Sequence, residues 1–152
     1  METGRVSYKD FGTAAASTYA AMVALSKSAH EHGLDRALSE LVKLRVSQIN
    51  GCAFCAAFHL GVARKLKVED KKLDLLPVWR KTPYYTPVER TALAWAEEMV
   101  RMPIAHPSET VREALAEHFT HDQIIGLNIS IATISAWNRM AVAFGFSPEE
   151  AG

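Results

Sequence analysis

Two cysteines three residues apart, with a histidine four residues after the second, constrain this chain more than any other feature. They lie in Gln48-Ile49-Asn50-Gly51-Cys52-Ala53-Phe54-Cys55-Ala56-Ala57-Phe58-His59 and are the 2 cysteines of a 152-residue sequence. An α-helix advances about 100° per residue, so Cys52, Cys55 and His59 fall within an arc of about 60°. Two thiols and an imidazole therefore share one helix face. A bridge closing so short a loop stabilises by only about 2 kcal/mol on the chain-entropy estimate, against about 3 kcal/mol for a loop of about 15 residues. Redox or metal chemistry accounts for the spacing better than stapling does.

The rest of the chain reads as helices around that face. Phe11, Tyr19, Met22, Val23 and Leu25 predict a helix from about Thr13 to His32, stopped by Gly33. His30 and His32 point in different directions on it and read as solvated. Asp35 is an N-cap for a helix over about 36–49, with Leu34, Leu38, Leu41, Val42, Arg45 and Ile49 as its buried stripe. Glu40 sits at the edge of that stripe. Taken alone it reads as an exposed glutamate pairing with Lys43 at i+3, worth tenths of a kcal/mol. Asn50-Gly51 ends this helix, and the run from Cys52 to Leu66 resumes helical periodicity through Phe54, Phe58, Val62 and Leu66. Cys52 then falls at a helix N-terminus, where unpaired N–H groups favour an anion.

Residues 67–77 suggest a short helix or loop leading to Trp79, and Thr82 to Pro87 a turn-rich linker. Thr86, Pro87 and Glu89 supply an N-cap, a first-turn proline and a capping-box partner. Ser108 opens a further helix, and Thr120 with Gln123 caps the last, which Gly145 stops near Phe144. That final helix is apolar on more than one side, so it is central or covered by a partner. His118 and His121 straddle a predicted junction and read as surface or capping residues. No segment alternates in the strand manner, and the predicted class is all-α in a single domain over residues 1–152.

Lys+Arg and Asp+Glu both number 17. Zero net charge argues against nucleic acid or an anionic membrane as partner. No apolar run approaches the roughly 18 residues of a membrane span. The alanine-rich segment from Ala14 to Leu25 reads as an amphipathic helix rather than a leader, which predicts a cytoplasmic protein.

His59 is one turn from Cys55 and about two turns, roughly 10 Å of rise, from Cys52. It therefore serves Cys55 directly or through one water, and hardly reaches Cys52. Lowering a cysteine pKa from about 8.5 to about 6.5 raises the thiolate fraction at pH 7 from a few per cent to about three quarters. A thiolate attacking a peroxide gives a sulfenic acid, which a second cysteine one turn away can condense into a disulfide.

The run Glu40-Leu41-Val42-Lys43-Leu44-Arg45-Val46-Ser47-Gln48-Ile49-Asn50-Gly51-Cys52-Ala53-Phe54-Cys55, with His59, closely resembles the core of AhpD-like alkylhydroperoxidases of the carboxymuconolactone decarboxylase superfamily. The resemblance continues through Thr82 to Arg90, Ala92 to Trp95, and Ala136-Trp137-Asn138-Arg139. It implies an all-helical fold assembling as a homo-trimer or homo-hexamer, and reduction of organic hydroperoxides without a cofactor. Electrons would come from a dithiol donor of the lipoyl or thioredoxin-like kind. It also implies attack by Cys55, resolution by Cys52, and a proton relay of Glu40 and His59. Helix-terminus electrostatics would instead favour Cys52 as the activated thiol. One position departs from the pattern: Phe54 stands where some members carry a histidine between the cysteines.

Three rival readings fit the same residues. Cys52, Cys55, His59 and Glu40 supply four donors of the kinds zinc takes, although structural zinc sites draw ligands from separate elements. A non-redox lyase of the same superfamily is the second, against which the C-x-x-C pair weighs. The third is a helical assembly protein whose cysteines merely pack.

Overall fold

The computed structural model describes residues 4–152. Among them the chain forms eight α-helices and three short 3-10 segments, and no strand, as the periodicity predicted. The helices are α1 (Tyr8–Ala14), α2 (Ala16–Ser28), α3 (Arg36–Ile49), α4 (Ala53–Lys65), α5 (Asp70–Asp74), α6 (Pro87–Val100), α7 (Glu109–His118) and α8 (His121–Phe144). The 3-10 segments are Ala29–His32, Leu76–Lys81 and Pro148–Ala151.

The helix starts follow the caps read from sequence. Asp35 Oδ1 accepts the Leu38 N–H at 2.8 Å. Thr86 and Glu89 form a reciprocal capping box beneath Pro87, and Thr120 with Gln123 forms another. Gly145 ends α8 at φ 73°, a left-handed conformation that any side chain would strain.

Three expectations need correction. The helix predicted over Thr13–His32 is three pieces: Ala15 leaves helical geometry between α1 and α2, and the last turn tightens to 3-10. The bend lets Phe11 pack on Trp137, Phe144 and Phe146 while Tyr19 returns to meet Tyr8. The amphipathic segment within it is helical, but no side chain of α2 is fully buried. The stripe on α3 is also wider than predicted. Leu34, Leu38, Leu41 and Val42 are buried, as are Ser39, Glu40, Lys43 and Ser47, while Ile49 is 39% exposed. The cause is enclosure by α4, α6 and α8 together, beyond which the last turn of α3 projects.

α8 is the hub, touching α2, α3, α4, α6 and the Ala29–His32 turn. Leu127, Ile131 and Ile134 are buried, each contributing about 1.5–3 kcal/mol of transfer free energy. Two of the polar residues buried on the same helix, Ser130 and Asn138, are satisfied across its contact with α3 and the corner after it. Ser130 Oγ meets Ser39 Oγ at 3.1 Å, and Asn138 donates to Ser47 Oγ at 3.1 Å while accepting from Asn50 at 2.9 Å. Gly126 lets α8 pass the Ala29–His32 turn at close range, since an added Cβ would lie 2.7 Å from the Ala29 carbonyl oxygen.

The far side of α3 is held by Glu97 of α6. It accepts from Arg45 Nε at 2.8 Å, from Trp79 Nε1 at 2.8 Å and from Arg80. Burial pushes this carboxyl up, but those three donors outweigh it and hold its pKa below the usual carboxylate value. α3 is thus gripped from both sides, which fixes the residues it presents to α4.

Candidate active site

The corner between α3 and α4 is three residues long. Asn50 N–H bonds the Val46 carbonyl at 3.0 Å, Gly51 turns at φ 67°, and Cys52 N–H bonds the Ser47 carbonyl at 3.0 Å. Cys52 is consequently the N-cap of α4, where its Sγ accepts the Cys55 N–H at 3.2 Å. The two cysteines form a disulfide with their Cα atoms 5.3 Å apart. Both are buried.

One turn along α4, His59 meets Glu40 of α3, with Nδ1 and Oε2 2.6 Å apart. The other carboxylate oxygen accepts from Lys43 Nζ at 3.1 Å. The side chains of His59, Glu40 and Lys43 are 12%, 8% and 7% exposed, so this is an interior charge cluster. The exposed ion pair read from sequence therefore exists as a pair but not on the surface. Burial pushes the Glu40 carboxyl up, yet the hydrogen bond and charge of His59, with those of Lys43, prevail and hold its pKa below the ordinary value. An ionised carboxylate only accepts, so the 2.6 Å contact requires His59 Nδ1 to carry the proton. In the neutral ring Nε2 is then the basic nitrogen.

A cavity of about 370 Å³ opens on this cluster. Cys55, His59, Glu40 and Lys43 line it, whereas Cys52 is not among its lining residues. Phe54, the departure from the family pattern, also lines it and stacks into an aromatic cluster. Its ring lies 4.7 Å from Tyr8, 5.3 Å from Phe146 and 6.3 Å from Phe58. The hydroxyls of Tyr8 and Tyr19 meet at 3.0 Å on the same wall, and Trp137 completes it.

The four candidate residues named from sequence come together around one cavity, apart from the Sγ of Cys52 behind Cys55. Residues the sequence reading missed are Lys43, the Tyr8–Tyr19 pair and His30. His30 is not solvated: it lines the cavity, and its Nδ1 is buried without a hydrogen-bond partner. It sits in the 3-10 turn Ala29–His32 that follows α2. Only the Glu40–Lys43 spacing offered a signal, and spacing alone does not report burial. His118 and His121 are exposed at the α7–α8 junction, as expected. Among the described residues no group of three or more His, Cys, Asp or Glu side chains is arranged to hold a metal ion.

Residues 16–98 match the model of the carboxymuconolactone decarboxylase family, more than half of the chain. The chain belongs to that family. A Bacillus subtilis relative, the uncharacterized protein YdfG, is 32% identical over 124 residues, spanning 82% of this chain and 84% of its own. Among solved structures, ATU0492 of Agrobacterium tumefaciens superposes with a TM-score of 0.86 at 32% identity, over 93% of this chain and 95% of that one. It is a protein of unknown function suggested to be the antioxidant defence protein AhpD. The debrominase Bmp8 shares the fold, with a TM-score of 0.76 at 22% identity, over 87% of this chain and 73% of its own. Within the carboxymuconolactone decarboxylase family this chain is thus AhpD-like, in a fold that also carries other chemistry. Among the described residues no helix is long and apolar enough to cross a membrane.

Proposed function

We propose that this protein is a thiol-dependent peroxidase that reduces organic hydroperoxides through the Cys52–Cys55 dithiol and disulfide. The observation that carries this is one cavity lined by Cys55, His59 and Glu40, with the second cysteine joined directly behind the first.

In the reduced protein His59 Nε2 takes the Cys55 proton, and the imidazolium so formed is held through Nδ1 by the Glu40 carboxylate. Cys55 Sγ attacks the terminal peroxide oxygen. The S–O bond forms as the O–O bond breaks, and the leaving alkoxide takes the proton back from His59 as an alcohol. Cys52 Sγ then attacks the Cys55 sulfenic acid, forming the disulfide and expelling hydroxide, which leaves as water with the Cys52 proton. A dithiol donor returns two electrons and two protons. The place of Cys55 in the cavity lining, which Cys52 does not share, supports it as the attacking thiol in preference to Cys52 at the helix terminus.

A dithiol donor of the lipoyl or thioredoxin-like kind, a cytoplasmic location that keeps such donors reduced, and assembly into a homo-trimer or homo-hexamer belong to the same proposal. Consumption of cumene hydroperoxide with dithiothreitol tests it. Turnover should vanish in Cys55→Ser, and Cys55→Ser retaining wild-type turnover would end the proposal. Loss of bromide from 2,3,4-tribromopyrrole, the compound bound in a structure of the debrominase Bmp8, would point instead to debrominase-like chemistry.

A further inference from the structure

The cavity is lopsided in charge. Lys27, Arg36 and Lys43 line it, and among the described residues Glu40 is its one carboxylate. That carboxylate is already committed to His59 and Lys43. A thiolate at Cys55 adds one further negative charge, which still leaves a cationic excess. Lys27 and Arg36 enter no ion pair among the described residues, and the ammonium of Lys43, on a buried side chain, spends one of its three protons on Glu40. His30 lines the same cavity: burial and the charges of Lys43 and Arg36 disfavour its protonated form, against the smaller opposing effects of the Glu40 charge and the Leu34 backbone, and its buried Nδ1 has no partner.

These groups come from α2, α3 and the Ala29–His32 turn, while the rings of Tyr8, Phe54, Phe58 and Trp137 come from α1, α4 and α8. The lining therefore combines cationic groups with a set of aromatic rings. An uncharged apolar occupant would strip water from Lys43 and His30 and return no acceptor. A carboxylate supplies two oxygens with room for several donors, and charge-assisted bonds to match. At about 370 Å³ the cavity lies near the small end of the range for small-molecule sites, about 300–1,000 Å³.

We propose that the substrate is a compact apolar or aromatic hydroperoxide bearing a carboxylate, with that carboxylate seated against Arg36, His30 and Lys43. This rests on the peroxidase function proposed above for its hydroperoxide half, but the carboxylate seat does not.

The test separates the two. Binding of para-isopropylbenzoate and of its methyl ester to the oxidised protein is followed by calorimetry and by tryptophan fluorescence, neither of which requires turnover. The acid should bind at least about tenfold more tightly than the ester, and Arg36→Gln should bring the two together. Arg36 is exposed at the start of α3, so its replacement spares the core. Equal binding of acid and ester by the wild type, or an undiminished preference in Arg36→Gln, overturns the seat. The para-carboxylate of cumene hydroperoxide and its methyl ester are then compared in turnover with dithiothreitol. The acid should show the higher kcat/KM, mainly through a lower KM. Equal kcat/KM for the two overturns the substrate class and leaves the peroxidase standing. Tight acid binding with no hydroperoxide consumed overturns the peroxidase and leaves the seat standing.

Discussion

Replacing Glu40 by glutamine removes one charge and almost no volume, so it isolates what the carboxylate does. His59 Nδ1 now donates to Glu40 Oε2 at 2.6 Å, with both side chains largely buried. A hydrogen bond to a charged partner contributes about 1.5–3 kcal/mol, and a neutral one about 1 kcal/mol. The amide oxygen of the introduced glutamine would keep the second and forfeit the difference, about 0.5–2 kcal/mol. That difference falls on the imidazolium, which forms only when Cys55 gives up its proton. The rate constant for Cys55 with hydroperoxide should drop about two- to thirtyfold. The pH at which Cys55 becomes reactive should rise by about one unit. Lys43 also loses its buried counter-charge, which costs about 3–5 kcal/mol in comparable pairs. The melting temperature should therefore fall by about 6–20 °C. The assay is stopped-flow oxidation of the reduced protein across a pH series, well below both melting transitions, with alkylation of Cys55 by iodoacetamide in parallel. A folded Glu40→Gln protein with the wild-type rate and pH profile would refute the relay.

Other consequences are as direct. Glu40 and Glu97 both have folded pKa values below their ordinary ones, so each contributes stability that is present above the unfolded pKa of about 4.3 and is lost as pH falls through the folded value. Melting temperature should decline as pH is lowered past about 4.3, and the decline should be shallower in Glu40→Gln. Gly126→Ala should cost about 1–3 kcal/mol in denaturant unfolding, because the new Cβ meets the Ala29 carbonyl at 2.7 Å and neither backbone can yield easily. A wild-type unfolding midpoint would mean that α8 and the Ala29–His32 turn can separate. Phe54→His should weaken the ring packing on Tyr8 and Phe146 and lower the melting temperature; a variant as stable as wild type would show that the aromatic cluster adds little there.

Local chemistry made much of this legible in advance. Asp35, Thr86 with Glu89, Thr120 with Gln123, and Gly145 act through neighbours three or four residues away, so sequence distance and spatial distance agree. Cys52, Cys55 and His59 share a face for the same reason. What stayed hidden depends on partners far along the chain. Lys43 and Glu40 look like a surface pair until α4 and α8 close over α3. His30 lines the cavity through contacts with elements its own neighbours do not reveal, and α1 forms around a Ser7 cap whose value comes from Phe11 docking on α8. Glu40 as a relay was reached by resemblance to the family and not by its spacing. Its 2.6 Å contact with His59 supplies a geometric basis for that role.

The most direct test of the peroxidase is the fate of Cys55 when Cys52 is absent. Reduced Cys52→Ser is mixed with one equivalent of cumene hydroperoxide, trapped with dimedone and mapped by peptide mass spectrometry. One adduct on Cys55, with one cumyl alcohol released per protein, is the expected result. An unmodified Cys55 with the hydroperoxide intact would contradict the account.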